Sequence, residues 1–263
     1  MMNTDNLASL KDTLKYQGFG DQVNEQLEKA IRNEEKEIKL TASFSHELPV
    51  SIKDDPLTKD RMTYELNFKQ GKNGLYYFNS YQAKLESPLF QDRQQMFYLD
   101  NGRTYTAKEA YNLLSGRSVY KQLESKEGNR YKAFVQLDFE GERKPNGNYP
   151  MKSYHEKFGF NVSEALSKLP VKFSSIEERD KLIKSLEKGN LQKVALADGQ
   201  VLYAKTVPAN KALRFYDEKL QPTQVMGSMQ VEQKAKQEPA AVVEMAPSPE
   251  QKASGGRKRT VKV

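Results

Sequence analysis

The chain of 263 residues contains no cysteine and no tryptophan, and only two of its residues are histidine. Lacking thiols, it forms no disulfide, no thiolate metal centre and no cysteine nucleophile, a composition that suits a reducing compartment. His46 and His155 are each followed by glutamate, but a zinc-protease helix needs a second histidine four residues on, and position 159 is Gly159. Long apolar runs are missing too. None approaches the roughly 18 residues of a membrane span, and Met1-Met2-Asn3-Thr4-Asp5 places no basic stretch ahead of an apolar one. A cytoplasmic protein with no membrane partner is expected. Hydrophobic residues make up only 37%, yet 14 tyrosines and 12 phenylalanines supply enough ring area for a core.

Catalytic spacing is absent as well. Carboxylates are plentiful but scattered, so no acid and base pair stands out. Gly71-Lys72-Asn73-Gly74 has neither the Walker spacing nor a Ser or Thr after the lysine. No catalytic residue, metal ligand or cofactor is assigned, and a non-enzymatic protein is expected.

The net charge of +7 is uneven: residues 1–60 hold 8 basic and 12 acidic side chains, 61–227 hold 27 and 19, and 228–263 hold 7 and 4. An acidic front, a basic body and a basic tip point to an anionic partner or to association between segments, against the plain alternative of a mixed solvated surface.

The strongest positive feature is a repeat. Leu66-Asn67-Phe68, Asn73-Gly74, Tyr76 and Ser80-Tyr81-x-x-Lys84 recur as Leu137-Asp138-Phe139, Asn146-Gly147, Tyr149 and Ser153-Tyr154-x-x-Lys157. The offset is 73 from Asn73 to Lys84 and 71 at Leu66, so two residues are inserted around Glu140–Lys144. Alternating strands flank each Asn-Gly turn, in which both residues tolerate positive φ. Each copy then runs to a helix stopped by glycine, at Gly116 and Gly189.

Around the repeat, Leu7, Leu10 and Leu14 predict a helix ended near Gly18, and Asp21 is the expected cap of a second helix carrying Val23, Leu27 and Ile31. Thr106-x-x-Glu109, Asn161-x-x-Glu164 and Ser174-x-x-Glu177 read as capping boxes. Strands are expected at Ile38–Phe44, Met62–Phe68, Tyr76–Leu85, Met96–Leu99, Tyr131–Phe139, Tyr149–Phe158, Leu191–Leu196, Val201–Val207 and Ala212–Tyr216. The expected fold class is α+β. It comprises a helical hairpin over 1–37, a first sheet-plus-helix repeat over 38–128, a second over 129–221 with the final strands, and a disordered, basic-tipped tail over 222–263.

Arg117, Lys121, Arg130, Lys132, Arg143 and Lys144, with Tyr120 and Tyr131 among them, have the mixture of cations and rings that a nucleic-acid surface uses. Glu124, Glu127, Asp138, Glu140 and Glu142 dilute that cluster. Arg257, Lys258, Arg259 and Lys262 form a cleaner basic tip. Tyr76, Tyr81, Tyr149 and Tyr154 are the repeated aromatic positions. They serve either as the packing of duplicated hairpins or as a duplicated binding surface.

Leu10-Lys-Asp-Thr-Leu-Lys-Tyr-Gln-Gly-Phe-Gly20, Tyr77-Phe-Asn-Ser-Tyr81, Thr106-Ala-Lys-Glu-Ala-Tyr-Asn-Leu-Leu-Ser-Gly-Arg117 and Ser185-Leu-Glu-Lys-Gly-Asn190 resemble a family of uncharacterised Bacteroidetes proteins built around a domain of unknown function. The similarity covers roughly residues 7–220. It implies a product carried by conjugative or other mobile elements, with a basic end such as Gly256-Arg-Lys-Arg259, and no catalytic residues. The expected function is a binding or accessory protein associating with nucleic acid or a nucleoprotein complex of a mobile element. The alternatives are a protein-binding adaptor acting through the acidic hairpin or the tail, and an enzyme of unrecognised type.

Overall fold

The computed structural model describes residues 3–48, 59–99, 104–125 and 127–225. The tail expected to be disordered lies outside these residues from 226 on, with Arg257, Lys258, Arg259 and Lys262. Within them the protein is α+β, with three antiparallel sheets each preceded by helix.

Helix α1 (Thr4–Tyr16) buries Leu7, Leu10 and Leu14 and is capped by Asn3, whose side chain accepts from Asn6 N at 2.8 Å. Helix α2 (Asn24–Arg32) follows a turn, so its N-cap is Val23, which offers no side-chain acceptor, and not Asp21. Both helices pack on the first sheet, in which β1 (Glu37–Glu47), β2 (Lys59–Gln70), β3 (Tyr76–Ser87) and β4 (Phe90–Tyr98) pair in chain order. Period-two alternation turns Ile38, Leu40, Met62, Tyr64, Leu66 and Phe68 inward. Helix α3 (Ala107–Leu114) closes this core and carries the expected capping box: Glu109 N donates to Thr106 Oγ1 at 3.3 Å, and Thr106 N to Glu109 Oε2 at 2.8 Å.

The second sheet, β5 (Val119–Glu124), β6 (Arg130–Leu137) and β7 (Met151–His155), is two-faced. Val119, Leu123, Ala133, Val135 and Leu137 join the first core, while Phe134 and Tyr154 join a second. β5 occupies a stretch that reads as connection, because Lys121 interrupts its apolar alternation. The structure accommodates that ammonium with Glu109 Oε2 at 2.8 Å. β7 stops at His155, and Glu156–Phe158 form a turn of 3-10 helix where continued strand was expected.

Helices α4 (Val162–Ser167) and α5 (Ile176–Glu187) cover the third sheet, ordered β11 (Pro222–Thr223), β10 (Ala212–Tyr216), β9 (Val201–Val207), β8 (Gln192–Ala195). Asn161 caps α4 as expected, whereas α5 is capped by Ser175 and not Ser174, since Glu178 N donates to Ser175 Oγ at 3.2 Å. Pro222–Thr223 pair with Tyr216 and Phe215, and Val225 is buried in the second core, so folded chain runs past 221. Proline is tolerated there because an edge residue needs no ladder donor.

The repeat is written in the backbone. Gly71 N donates to Leu75 O and Gly74 N to Gly71 O; Lys144 N donates to Asn148 O and Gly147 N to Lys144 O. The same pair of bonds closes the turns at Ser125–Asn129, Leu196–Gln200 and Asp217–Gln221. Only the glycine of each Asn-Gly turn has positive φ, so these are three-residue loops ending in a left-handed residue and not the two-residue loops expected from Asn-Gly. Both Asn-Gly turns join the second and third strands of their sheets. The second connection is longer, spanning 138–150 between β6 and β7.

Helix ends repeat too. Ser115 N→Tyr111 O, Gly116 N→Leu113 O and Arg117 N→Asn112 O reappear after α5 as Lys188 N→Lys184 O, Gly189 N→Leu186 O and Asn190 N→Ser185 O. The same bonds follow α1 at Gln17, Gly18 and Phe19 and α2 at Asn33, Glu34 and Glu35. After α2, α3 and α5 the next sheet starts three residues after the positive-φ residue, at Glu37, Val119 and Gln192. The ends of α3 and α5 also meet. Asn112 Nδ2 donates to Lys188 O at 2.6 Å, and a Cβ on Gly189 would lie 2.6 Å from Ser118 O.

Candidate nucleic-acid interface

The structure divides the predicted basic cluster. In the second sheet, pairs such as Lys121–Ala133, Gln122–Lys132 and Glu124–Arg130 show which residues share a face. Lys121 points toward the first core, where its ammonium donates to Thr104 O at 2.6 Å as well as to Glu109; its side chain is 16% exposed. The structure thus commits Lys121 to the fold. Arg130 and Lys132 occupy the opposite face. Arg117 sits beyond the end of α3, its Nη2 donating to Asn112 Oδ1 at 2.7 Å. Arg143 and Lys144 lie at the second Asn-Gly turn, with the Arg143 guanidinium 4.0 Å from the Tyr149 ring centre and Nη1 donating to Gly147 O at 3.1 Å.

Tyr76, Tyr81, Tyr149 and Tyr154 are buried, so the packing alternative describes them. Tyr81 has no exposure and donates to Tyr105 O at 2.5 Å; burial pushes its phenol well above the ordinary value. Tyr76 and Tyr149 are held alike. The Asn6 side-chain amide brackets the backbone of Tyr76 (2.8 and 3.0 Å), and that of Gln95 brackets Tyr149 (2.8 and 3.4 Å). Asn148 returns the arrangement to Met96 of β4 at 2.8 and 3.1 Å, which closes that sheet edge.

His155 accepts through Nδ1 from Lys157 N at 3.1 Å and stacks on Tyr131. Among the described residues no group of three or more His, Asp or Glu side chains is placed to hold a metal ion, and no helix is long and apolar enough to cross a membrane.

A different surface gathers cations and rings. In the third sheet Val194, Leu202, Ala204, Leu213 and Phe215 face the second core, so alternation sends Lys193, Tyr203, Lys205, Arg214 and Tyr216 to the other side. Register sets their order. Lys193, Tyr203 and Tyr216 form one cross-strand row, and Lys205 stands opposite Arg214. The Lys205 ammonium lies 5.4 Å from the Tyr216 ring centre, within cation–π range. No Asp or Glu occupies an outward position on these strands. Flanking carboxylates are engaged by turns: Asp198 accepts from Gln200 N at 2.9 Å, and Asp217 from Lys219 N and Gln221 N at 2.9 and 2.8 Å.

The first sheet's outer face is built differently. There Lys69 pairs with Glu37 at 2.9 Å, Lys39 with Glu65 at 3.2 Å, Lys59 with Glu47 at 3.3 Å, and Lys84 with Glu86 and Asp92 at 2.7 and 3.1 Å. Sequence reasoning passed over the third-sheet face because it followed clusters along the chain. Strand parity over 193–216 was the signal that finds it. No protein-family model, curated protein or solved structure matches the chain.

Proposed function

We propose that this chain is a non-catalytic accessory protein that binds single-stranded nucleic acid across the outer face of its third sheet, in the mobile-element setting its resemblance implies. One observation carries the reading: Lys205 and Arg214 are directly opposed like charges, flanked by Tyr203 and Tyr216, on a face whose strands carry no carboxylate. Like charges in a cross-strand pair weaken a sheet. A phosphate chain would offset both charges while releasing its counterions. Tyr203 and Tyr216 lie side by side in the same row, both half-buried, and aromatic rings on such a face stack on unpaired bases without regard to sequence. A duplex hides those base faces.

The test is titration of fluorescent single-stranded and duplex oligonucleotides over a salt series. Intact protein should prefer the single strand, with log K falling by about 0.7 per phosphate contacted. Replacing Lys193, Lys205 and Arg214 together by Gln should flatten that slope by up to about 2. Tyr203→Ala and Tyr216→Ala should each cost about 1–3 kcal/mol of affinity and leave the slope unchanged. Absence of binding at low salt, where surface charge acts most strongly, refutes the proposal and leaves the adaptor alternative.

A further inference from the structure

His46 and Asp60 stand opposite each other in the β1–β2 register, both in step with the core-facing residues of their strands. The apolar core ends there, and Tyr111 of α3 closes it. The Tyr111 hydroxyl donates to Asp60 Oδ2 at 2.9 Å, while its ring stacks on the His46 imidazole with centres 4.0 Å apart and planes at 20°. Two cations converge on the same ring: Lys108 Nζ lies 4.6 Å and Arg117 Cζ 4.7 Å from its centre.

This is an unusual place for two positive charges. Asp60 is 1% exposed and sealed beneath Tyr111, so its carboxylate is not offered to the solvent side. Among the described residues neither Lys108 nor Arg117 forms an ion pair, whereas the cations on the outer face of the same sheet do. Arg117 Nε is buried with no hydrogen-bond partner among those residues. Among the described residues, two cations against one buried carboxylate leave a positive charge in excess.

We infer that His46, Lys108, Tyr111 and Arg117 form a second binding site, taking a small oxyanion of the phosphate class. The guanidinium and the ammonium supply charge-assisted donors of different geometry, the combination that holds a tetrahedral oxyanion from two sides. His46 adds a donor without adding charge. Burial first, then Lys108 and Arg117, push its pKa down to about 4, so the imidazole is neutral at pH 7 and keeps one N–H. The same crowding pushes Lys108 down to about 8, through burial and then Arg117, against the pull of Asp60. An anion bound among these groups relieves both depressions. The site is independent of the third-sheet face and stands whether or not nucleic acid binds there.

The chain offers a clean probe, since His46 and His155 are its only imidazoles. Inorganic phosphate is titrated at constant ionic strength into full-length protein while the ring proton resonances of both histidines are followed by NMR. The His46 signals should move saturably and its pKa should rise from about 4, because the anion offsets the neighbouring cations. His155 should not move. Lys108→Gln should weaken phosphate about tenfold or more, the loss of one hydrogen bond to a charged group. Arg117→Gln should do the same, with Arg117→Lys retaining part of the affinity. A His46 signal that does not respond to phosphate, or responds in Lys108→Gln and Arg117→Gln as it does in the intact protein, overturns the site.

Discussion

The outer faces of the first and third sheets show how one strand pattern serves two ends. In both sheets every second residue enters a core, so the inner faces are set by burial. The outward residues are free of that demand, and there the sheets part. On the first sheet lysines and carboxylates alternate across strands until each cation has a partner, at Lys69–Glu37, Lys39–Glu65 and Lys84–Asp92. On the third, Lys205 faces Arg214 and carboxylates are withheld from the strands. A compensated face is inert toward polyanions and adds a little stability. A face that gathers cations and rings on its strands is the one suited to phosphate. The proposed function rests on that departure from what folding favours.

The comparison requires that the inner faces be equivalent, and the largest effects test this. Phe97 on the first sheet and Phe215 on the third are 2% and 1% exposed. Phe97→Ala and Phe215→Ala should each destabilise by about 3–5 kcal/mol in urea unfolding. A cost well below that for Phe215→Ala would mean the third sheet is not a packed layer. The next effect is at the junction of the two cores. Gly189 has φ of +80°, and an added Cβ would meet Ser118 O at 2.6 Å. Gly189→Ala should therefore cost more than about 1 kcal/mol, the strain of an unsuitable φ with steric overlap added. Gly20 has positive φ but open space around it, so Gly20→Ala should cost less in the same assay.

A smaller and more diagnostic effect separates the outer faces. Lys205→Glu turns the like-charged pair with Arg214 into an opposite pair and should stabilise the fold by about 0.2–1 kcal/mol. The same change should weaken binding to single strands. Glu65→Lys on the first sheet replaces the partner of Lys39 and should destabilise by a similar amount while leaving binding unreduced. If Lys205→Glu lowers stability, the third-sheet face is structural, and its charge is no sign of a partner.

Much of this organisation is legible in the sequence, because alternation and capping act locally. Thr106 and Glu109 close α3 as a box, and Asn73-Gly74 and Asn146-Gly147 mark matching turns. What stayed hidden depended on contacts between distant residues. β5 was masked by Lys121, an inward lysine that the Glu109 carboxylate and the Thr104 carbonyl make tolerable. The helix-end motif recurs after α2, but Glu34 occupies its positive-φ position at 57°, so no glycine announces it there. The predicted basic cluster was contiguous in sequence, yet strand pairing sends Lys121 and Lys132 to opposite faces. Asp60 and His46 could have been found, since each sits in step with inward apolar positions where a charge or imidazole is out of place.

The finest distinction is pH dependence, and its sign follows from the carboxylates of the first face. The hydrogen bond and charge of Lys69 hold the Glu37 carboxyl below its ordinary value of 4.5. A depressed folded pKa contributes stability that is fully present above the unfolded value and is lost as pH falls through the folded one. The effect of Glu37 should therefore appear only on the acid side of 4.5, and it should be small because the pair is open to solvent. Lys69→Met removes the cause, so the stability lost between neutral and acid pH should shrink relative to the intact protein. Lys205→Met, on a face whose strands hold no carboxylate, should leave that loss unchanged. Urea unfolding of the three proteins across the acid range makes the measurement. Equal acid sensitivity in all three would show that the ion pairs of the first face contribute nothing measurable, and the contrast between the sheets would then rest on binding alone.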